Sequence, residues 1–270
     1  MEAVSGIPTL ARPSDGPGAA AATRRLGPSL LLLVAIGGAW AAIVLVQLTG
    51  TAATLHHHAL IEGGPPLWLA IPLFVLGWLV MVVAMMLPAS LPTIRRVERA
   101  IPSAAWQGRA QAAFVAGFLG VWAAFGILAF LGDVVVHDVV DATPWLAARR
   151  WLVEVSVLIL AGAYQLMPLK QRYLAACRHP GDLAPPSSLT AQDATRLGLH
   201  HGLACLACSW ALMLVMSGEG FASLPWMAAL TAVMAYESAG RHGRWAASVV
   251  GAVLLLVALT VLLVSLLGSA

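Results

Sequence analysis

The stretch that decides the fold is residues 249–268, which read VVGAVLLLVALTVLLVSLLG without a single charge. A membrane-spanning helix needs about 20 mainly apolar residues, so this stretch predicts one. The whole chain of 270 residues agrees, because 60% of it is hydrophobic and only 10% is charged. A soluble domain carries charges on about 25% of its residues. The composition therefore excludes a soluble enzyme, a disordered chain and, with 3 cysteines, a secreted disulfide scaffold.

Six further segments have the length and composition of a span. The predicted fold is therefore all-α, a polytopic membrane helix bundle of about seven transmembrane helices. Residues 1–28 are rich in Pro, Gly and Ala and are predicted to form a flexible cytoplasmic tail, followed by a single integral membrane domain over 29–268. The predicted spans are 29–50, 67–88, 111–132, 151–169, 198–217, 221–238 and 246–268.

The basic residues test this map, because Lys and Arg collect in the cytoplasmic loops of membrane proteins. Of the 15 basic residues, 13 fall on the side of the N-terminal tail and 2 on the opposite side. The chain is therefore predicted to run N-in and C-out. The net charge of +3 reports this orientation, and no nucleic acid is expected as a partner.

The fifth predicted span carries an unusual stripe of side chains. At about 100° per residue, His201, Cys205 and Cys208 lie within about 60° of one another on a helix. Imidazole and thiolate are ligands of Cu(I) and Zn(II). Free cysteines also pack in helices as small hydrophobic residues. The stripe alone leaves metal or redox chemistry and simple packing open.

Other spans place soft or polar side chains at the same predicted depth. Met81, Met85 and Met86 lie near the cytoplasmic end of the second span. Their thioethers suit Cu(I), although methionine also fills irregular helix contacts. Gln165 and Glu237 lie in the inner halves of the fourth and sixth spans, where a polar group is costly and therefore a candidate for function.

Two features lie outside the spans. The run His56-His57-His58 in the first outer loop can collect a divalent metal, but three adjacent residues cannot share one helix face, and such a run more often binds nothing specific. Cys177 is a single thiol of the predicted fourth loop.

The candidate metal ligands are Cys205, Cys208, His201, Met85, Met86 and Glu237, with Met81, Gln165 and Cys177 in a second tier.

Three blocks of the sequence carry a resemblance. Residues 78–92 fit the pattern Trp-x-x-Met-x-x-Ala-Met-Met-x-Pro-x-x-x-Pro, residues 163–170 read AYQLMPLK, and residues 198–213 read GLHHGLACLACSWALM. Together they resemble a bacterial family of predicted metal-binding integral membrane proteins of unknown function, sometimes labelled copper chaperone. The resemblance implies metal handling, and with the topology it implies a multi-pass protein of the bacterial cytoplasmic (inner) membrane.

The chain departs from the pattern of that family at three positions. Tyr173 and Ser209 stand where the family often has a cysteine, and Ser238 stands where a lysine commonly follows the acidic residue. If the missing thiols serve as ligands in the family, the resemblance implies weaker metal binding in this chain.

The sequence leaves three functions open. The first is soft-metal binding for delivery or transport, with copper(I) favoured over zinc, the lipid bilayer as surroundings and a metal-donor or metal-acceptor protein as partner. The second is a membrane thiol–disulfide oxidoreductase that couples Cys205 and Cys208 to a quinone. The third is a non-catalytic structural or assembly subunit. Because no H-E-x-x-H, nucleophile elbow or phosphate loop occurs, enzymatic activity is not expected.

Overall fold

The computed structural model describes residues 28–51, 65–99, 104–178, 190–219 and 224–268, and this part of the chain is helical without any strand. The all-α fold is thereby confirmed. Residues 1–27 of the predicted tail and His56-His57-His58 lie outside the described residues. The described helices are α1 (Pro28–Leu48), α2 (Leu67–Met85), α3 (Leu87–Arg99), α4 (Ala104–Ala142), α5 (Pro144–Ala147), α6 (Trp151–Leu166), α7 (Pro168–Arg178), α8 (Ala191–Glu219), α9 (Leu224–Ala239) and α10 (Gly243–Gly268).

Five of these helices, α1, α2, α4, α8 and α10, are long and apolar enough to cross a membrane. The pair α6 and α7 adds a sixth if it is one broken span. The predicted class, a polytopic helical bundle of the membrane type, is confirmed, while the count of seven spans is only approximate. The segment predicted at 221–238 is α9, whose 16 residues rise about 24 Å and so fall short of a hydrocarbon core of about 30 Å.

Two predicted spans end early, each at a break in the helix next to a proline. The helix α2 ends three residues before its predicted end, and α3 follows with Pro88 in its first turn. At the end of α6, Met167 is extended with ψ 140°, since the residue before a proline avoids the helical region and Pro168 follows. The next helix, α7, leaves at an angle of 63° and returns Lys170 into the bundle, where it is 1% exposed.

The helices α4 and α8 pack backbone to backbone. A Cβ atom at Gly198 would collide with the carbonyl group of Phe114, and a Cβ atom at Gly117 would collide with the carbonyl oxygen of Thr195. Small residues allow such close helix contacts in membrane bundles. Glycine is therefore required at this crossing, which fixes the first half of α8 against α4.

An aromatic layer fixes α2 on the same helix, α4. The indole Nε1 of Trp78 donates to the carbonyl oxygen of Trp122 at 3.0 Å, and the ring of Trp78 stacks on Phe74 with centroids 5.8 Å apart. The ring fills the space beside Gly126, where a Cβ atom would lie 2.7 Å from it. Because α2 and α8 both pack on α4, the end of α2 meets α8 at Met86.

Candidate metal centre

Cys205 and Cys208 lie about one turn apart on α8. Neither cysteine forms a disulfide with a described residue, and both are buried, with 7% and 8% of the residue surface exposed. The two thiols are close enough to interact with each other, and Sγ of Cys208 donates to the carbonyl oxygen of Cys205 at 3.1 Å. The structure therefore brings the two predicted thiol ligands together inside the bundle.

Met86 is the methionine that meets the turn of α8 carrying the thiol pair, through its contact with Ser209. The hydroxyl of Ser209 donates to the carbonyl oxygen of Cys205 at 2.7 Å and lies 3.9 Å from Sδ of Met86. Met81 and Met85 are also buried, each 1% exposed, and belong to the hydrophobic core. The thiol cluster is defined here as Met86, Cys205, Cys208 and Ser209.

His201 lies one turn before the thiol cluster and is held by its surroundings. Its Nε2 is 3.1 Å from Oγ of Ser90, which donates in turn to the carbonyl oxygen of Met86 at 3.3 Å. The imidazole packs between the rings of Phe114 and Phe118, with centroids 5.7 and 5.9 Å away. No sequence motif singles out Ser90, and the only pattern that involves it is its position four residues after Met86.

A tryptophan on α4 faces the thiol pair. The side chain of Trp122 is fully buried, and its indole N–H has no hydrogen-bond partner among the described residues. The indole lies within interaction range of the Cys205 thiol. A buried donor without a partner is costly, whereas an N–H that faces sulfur is well placed to stabilise a thiolate. Sequence patterns did not reveal this residue, because its role depends on contact between helices.

A second buried polar group lies where α6, α7 and α9 meet. Nζ of Lys170 donates to Oε2 of Glu237 at 2.7 Å and also to Oε1 of Gln165. Nε2 of Gln165 donates to Oε1 of Glu237 at 3.2 Å. All three residues are at most 2% exposed. These residues are named the ion triad, and within it Glu237 is already engaged by a cation and an amide.

The thiol cluster and the ion triad are neighbours. The hydroxyl of Tyr164, next to Gln165 in the chain, donates to the carbonyl oxygen of Ala207 on α8, and its ring packs on Trp210. Cys208 lies within electrostatic range of both Tyr164 and Glu237. These contacts bring the thiol cluster close to the carboxylate of Glu237.

The remaining sequence candidate is Cys177. Its backbone belongs to the last turn of α7, and its side chain lies outside the described part of the structure.

Across the described residues, no three side chains of His, Cys, Asp or Glu converge on one point that could hold a metal ion. A structural zinc site usually has four ligands in a tetrahedron, and the described groups do not provide one. The pair of thiols with a neighbouring thioether is instead a soft donor set of the kind that selects Cu(I).

These features define a class: an integral-membrane-type helical protein with a buried pair of thiols beside a thioether. A family model described as copper chaperone, PpoB2, matches residues 75–261, and the chain therefore belongs to this family. The matched residues include all three cysteines and both buried polar groups. No curated protein and no solved structure matches the chain.

Proposed function

We propose that this protein binds Cu(I) inside the membrane and delivers it to a partner protein. The observation that carries the proposal is the buried thiol pair with the Met86 thioether beside it. Copper is the cargo here, held by the thiolates of Cys205 and Cys208 and by the thioether sulfur of Met86. Thiolate and thioether are the soft ligands that Cu(I) prefers. The family description, copper chaperone, is compatible with this assignment.

The other candidate residues have supporting roles in this proposal. His201 is held by Ser90 and braces the start of the site, and Met85 belongs to the surrounding core. Glu237 is not a ligand, because Lys170 and Gln165 occupy both of its oxygens and a carboxylate is in any case a hard donor. Zinc is a poor cargo, since it favours a closed set of four ligands.

The proposed setting is the inner membrane of a bacterium, with the N-terminus in the cytoplasm and no contact with nucleic acid. In this orientation the thiol cluster lies in the cytoplasmic half of the bilayer. The cytosol keeps thiols reduced, which suits binding of Cu(I). A donor or acceptor protein with its own thiol pair would exchange the metal by replacing one sulfur ligand at a time.

The decisive experiment measures Cu(I) bound to protein purified without oxygen, by competition with a chromogenic Cu(I) chelator. We expect about one Cu(I) per chain for the wild type and no tight binding for the variant C205S/C208S. The matched control is Cys177→Ser, which removes the third thiol and should leave binding unchanged. Equal copper binding by the wild type and by C205S/C208S would overturn the proposal. A parallel titration with Zn(II) should show weak binding only.

The proximity of the two thiols favours one second candidate, a redox pair. In that reaction Cys205 and Cys208 form a disulfide and give two electrons and two protons to a quinone, which becomes a quinol. Alkylation of cells with a thiol-specific reagent, followed by mass measurement, separates the two functions. Permanently reduced thiols, even after an oxidant challenge, exclude the redox pair. A protein that neither binds copper nor forms the disulfide would be a structural subunit.

A further inference from the structure

A cavity of about 670 Å³ opens beside the bend between α6 and α7 and the start of α10. The apolar part of its lining comes from Leu166, Pro168 and Ala175, and the charged part from Arg172 and Arg244. The remaining lining residues are Gln171, Trp245 and Ser248. The cavity differs in composition from the metal centre, because none of its described lining residues carries sulfur or an acidic group.

The positive charge of this cavity has no acidic partner among the residues that the structure describes. Arg172 comes from α7 and Arg244 from the first turn of α10, and neither guanidinium has an ion pair with any residue that the structure describes. The N-terminal end of a helix adds partial positive charge, and the 26-residue helix α10 begins at Gly243 beside the cavity. Two arginines at a helix start are therefore arranged to bind an anion.

The position of the cavity points to a lipid as the source of that anion. Both arginines belong to segments that the distribution of basic residues predicts to be cytoplasmic, at the ends of spans. Trp245 is 67% exposed at this level, where aromatic residues meet lipid head groups, and Leu166 is 47% exposed on the apolar side. Basic pockets between transmembrane helices on the cytoplasmic side are known to hold anionic lipid head groups.

Gln171 adds a preference within that class. Its Oε1 atom is buried in the wall of the cavity and has no hydrogen-bond partner among the described residues. A buried acceptor without a donor costs free energy, so a turn of the Gln171 side chain toward a ligand hydroxyl in the cavity would be favoured. A bare phosphate monoester or a methylated head group offers no such alcohol.

We propose that this cavity binds the head group of an anionic phospholipid that carries a free hydroxyl, as phosphatidylglycerol does. The phosphate lies between Arg172 and Arg244, the head-group hydroxyl donates to Gln171, and the acyl chains follow the apolar side of the cavity. The bound lipid then braces the crossing of α6 and α10, where a Cβ atom at Gly162 would lie 3.0 Å from the carbonyl oxygen of Gly251.

The test compares unfolding temperatures of the full chain in nanodiscs of phosphatidylcholine alone, with phosphatidylglycerol, and with dissolved inorganic phosphate. Phosphatidylglycerol should raise the unfolding temperature of the wild type by several degrees and should remain bound in native mass spectrometry. The variant R172Q/R244Q should lose most of both effects. The matched control R109Q/R241Q removes two exposed basic residues of the same predicted side and should keep them. Copper content should be the same in the wild type and in both double variants if the metal centre is intact, which separates this test from the proposed function.

Three results would overturn the proposal. Equal stabilisation by inorganic phosphate would make the cavity a site for free phosphate. An equal loss of stabilisation in R109Q/R241Q would show that the effect comes from general surface charge. A wild type whose unfolding temperature does not change with phosphatidylglycerol would show that the cavity is not a lipid site. The hydroxyl preference has its own probe, because phosphatidylmethanol lacks that group. The wild type should retain phosphatidylglycerol several-fold better than phosphatidylmethanol, and Gln171→Leu should abolish this preference.

Discussion

The thiol cluster and the ion triad are neighbouring buried polar groups that differ in how their atoms are already bonded. In the ion triad, both carboxylate oxygens of Glu237 accept hydrogen bonds, one from Gln165 and one from Lys170. In the thiol cluster, S–H and O–H groups donate to a backbone carbonyl, that of Cys205. A thiol is a weak donor, so its deprotonation for metal binding gives up little.

This difference separates groups that hold helices together from groups that can hold a metal. The ion triad joins α6, α7 and α9 through charged hydrogen bonds in a place where water is scarce. A carboxylate that left Lys170 for a metal would leave a buried cation without a partner, which is strongly unfavourable. The thiol cluster carries no such penalty. The hydrogen bonds and ion pairs that a candidate ligand already makes are therefore a better guide to metal binding than its depth in the bundle.

The largest effect is expected from Lys170→Met, which breaks the ion triad on one side. Removal of one partner from a buried ion pair costs about 3–5 kcal/mol, because the remaining charge stays buried. The free energy of unfolding in detergent should fall by this amount, whereas Arg196→Met, at an exposed position of α8, should change it little. The double variant K170M/E237Q should recover much of the loss, since it removes both charges together.

The same variants decide whether the comparison holds. Folded K170M/E237Q protein should bind Cu(I) as tightly as the wild type, because the ion triad supplies no ligand. A copper affinity that collapsed in this double variant, with its stability recovered, would make Glu237 part of the metal site and would remove the distinction between the two groups.

The elements of this comparison were predictable from the sequence to different degrees. The stripe of His201, Cys205 and Cys208 was predictable because helical spacing alone determines which residues of one helix share a face. The sequence also placed Gln165 and Glu237 in the same half of their spans, and the structure brings these two side chains into contact. The partner of Glu237 did not follow, because Lys170 counts as a loop charge in the sequence.

The reason is the bend at Pro168. A uniform helix would have carried Lys170 out into the cytoplasm, but the break turns α7 by 63° and returns the ammonium group to Glu237. Contacts between helices could not be predicted from the sequence either, because periodicity within one helix does not fix its rotation against a neighbour. Ser90, Trp122 and the choice between Met85 and Met86 all depend on that rotation.

A smaller effect is expected from Met86→Leu, which sharpens the assignment of the thioether. The change keeps volume and hydrophobicity, so it should cost less than about 1.5 kcal/mol in stability. Loss of the sulfur should weaken Cu(I) binding by about a hundredfold, at the upper end of what supporting residues contribute at metal sites. Competition with a Cu(I) chelator measures this directly. The matched control is Met85→Leu, one residue earlier and equally buried, which should bind copper normally. If the two variants bind Cu(I) with the same affinity, the Met86 thioether is not a ligand.

The smallest effect, about tenfold in Cu(I) affinity, is expected from Trp122→Phe. This change keeps an aromatic ring in the core and removes the indole N–H that faces the Cys205 thiol. Without that donor a thiolate at Cys205 loses a charge-assisted interaction, and the metal is held less firmly. Trp226→Phe is the matched control, because the N–H of Trp226 is also buried without a described partner. Because Cu(I) itself is spectroscopically silent, the affinity is again measured by chelator competition. A Trp122 variant that bound copper as the Trp226 variant does would show that the indole only fills space, and that the thiol cluster is complete without a donor from α4.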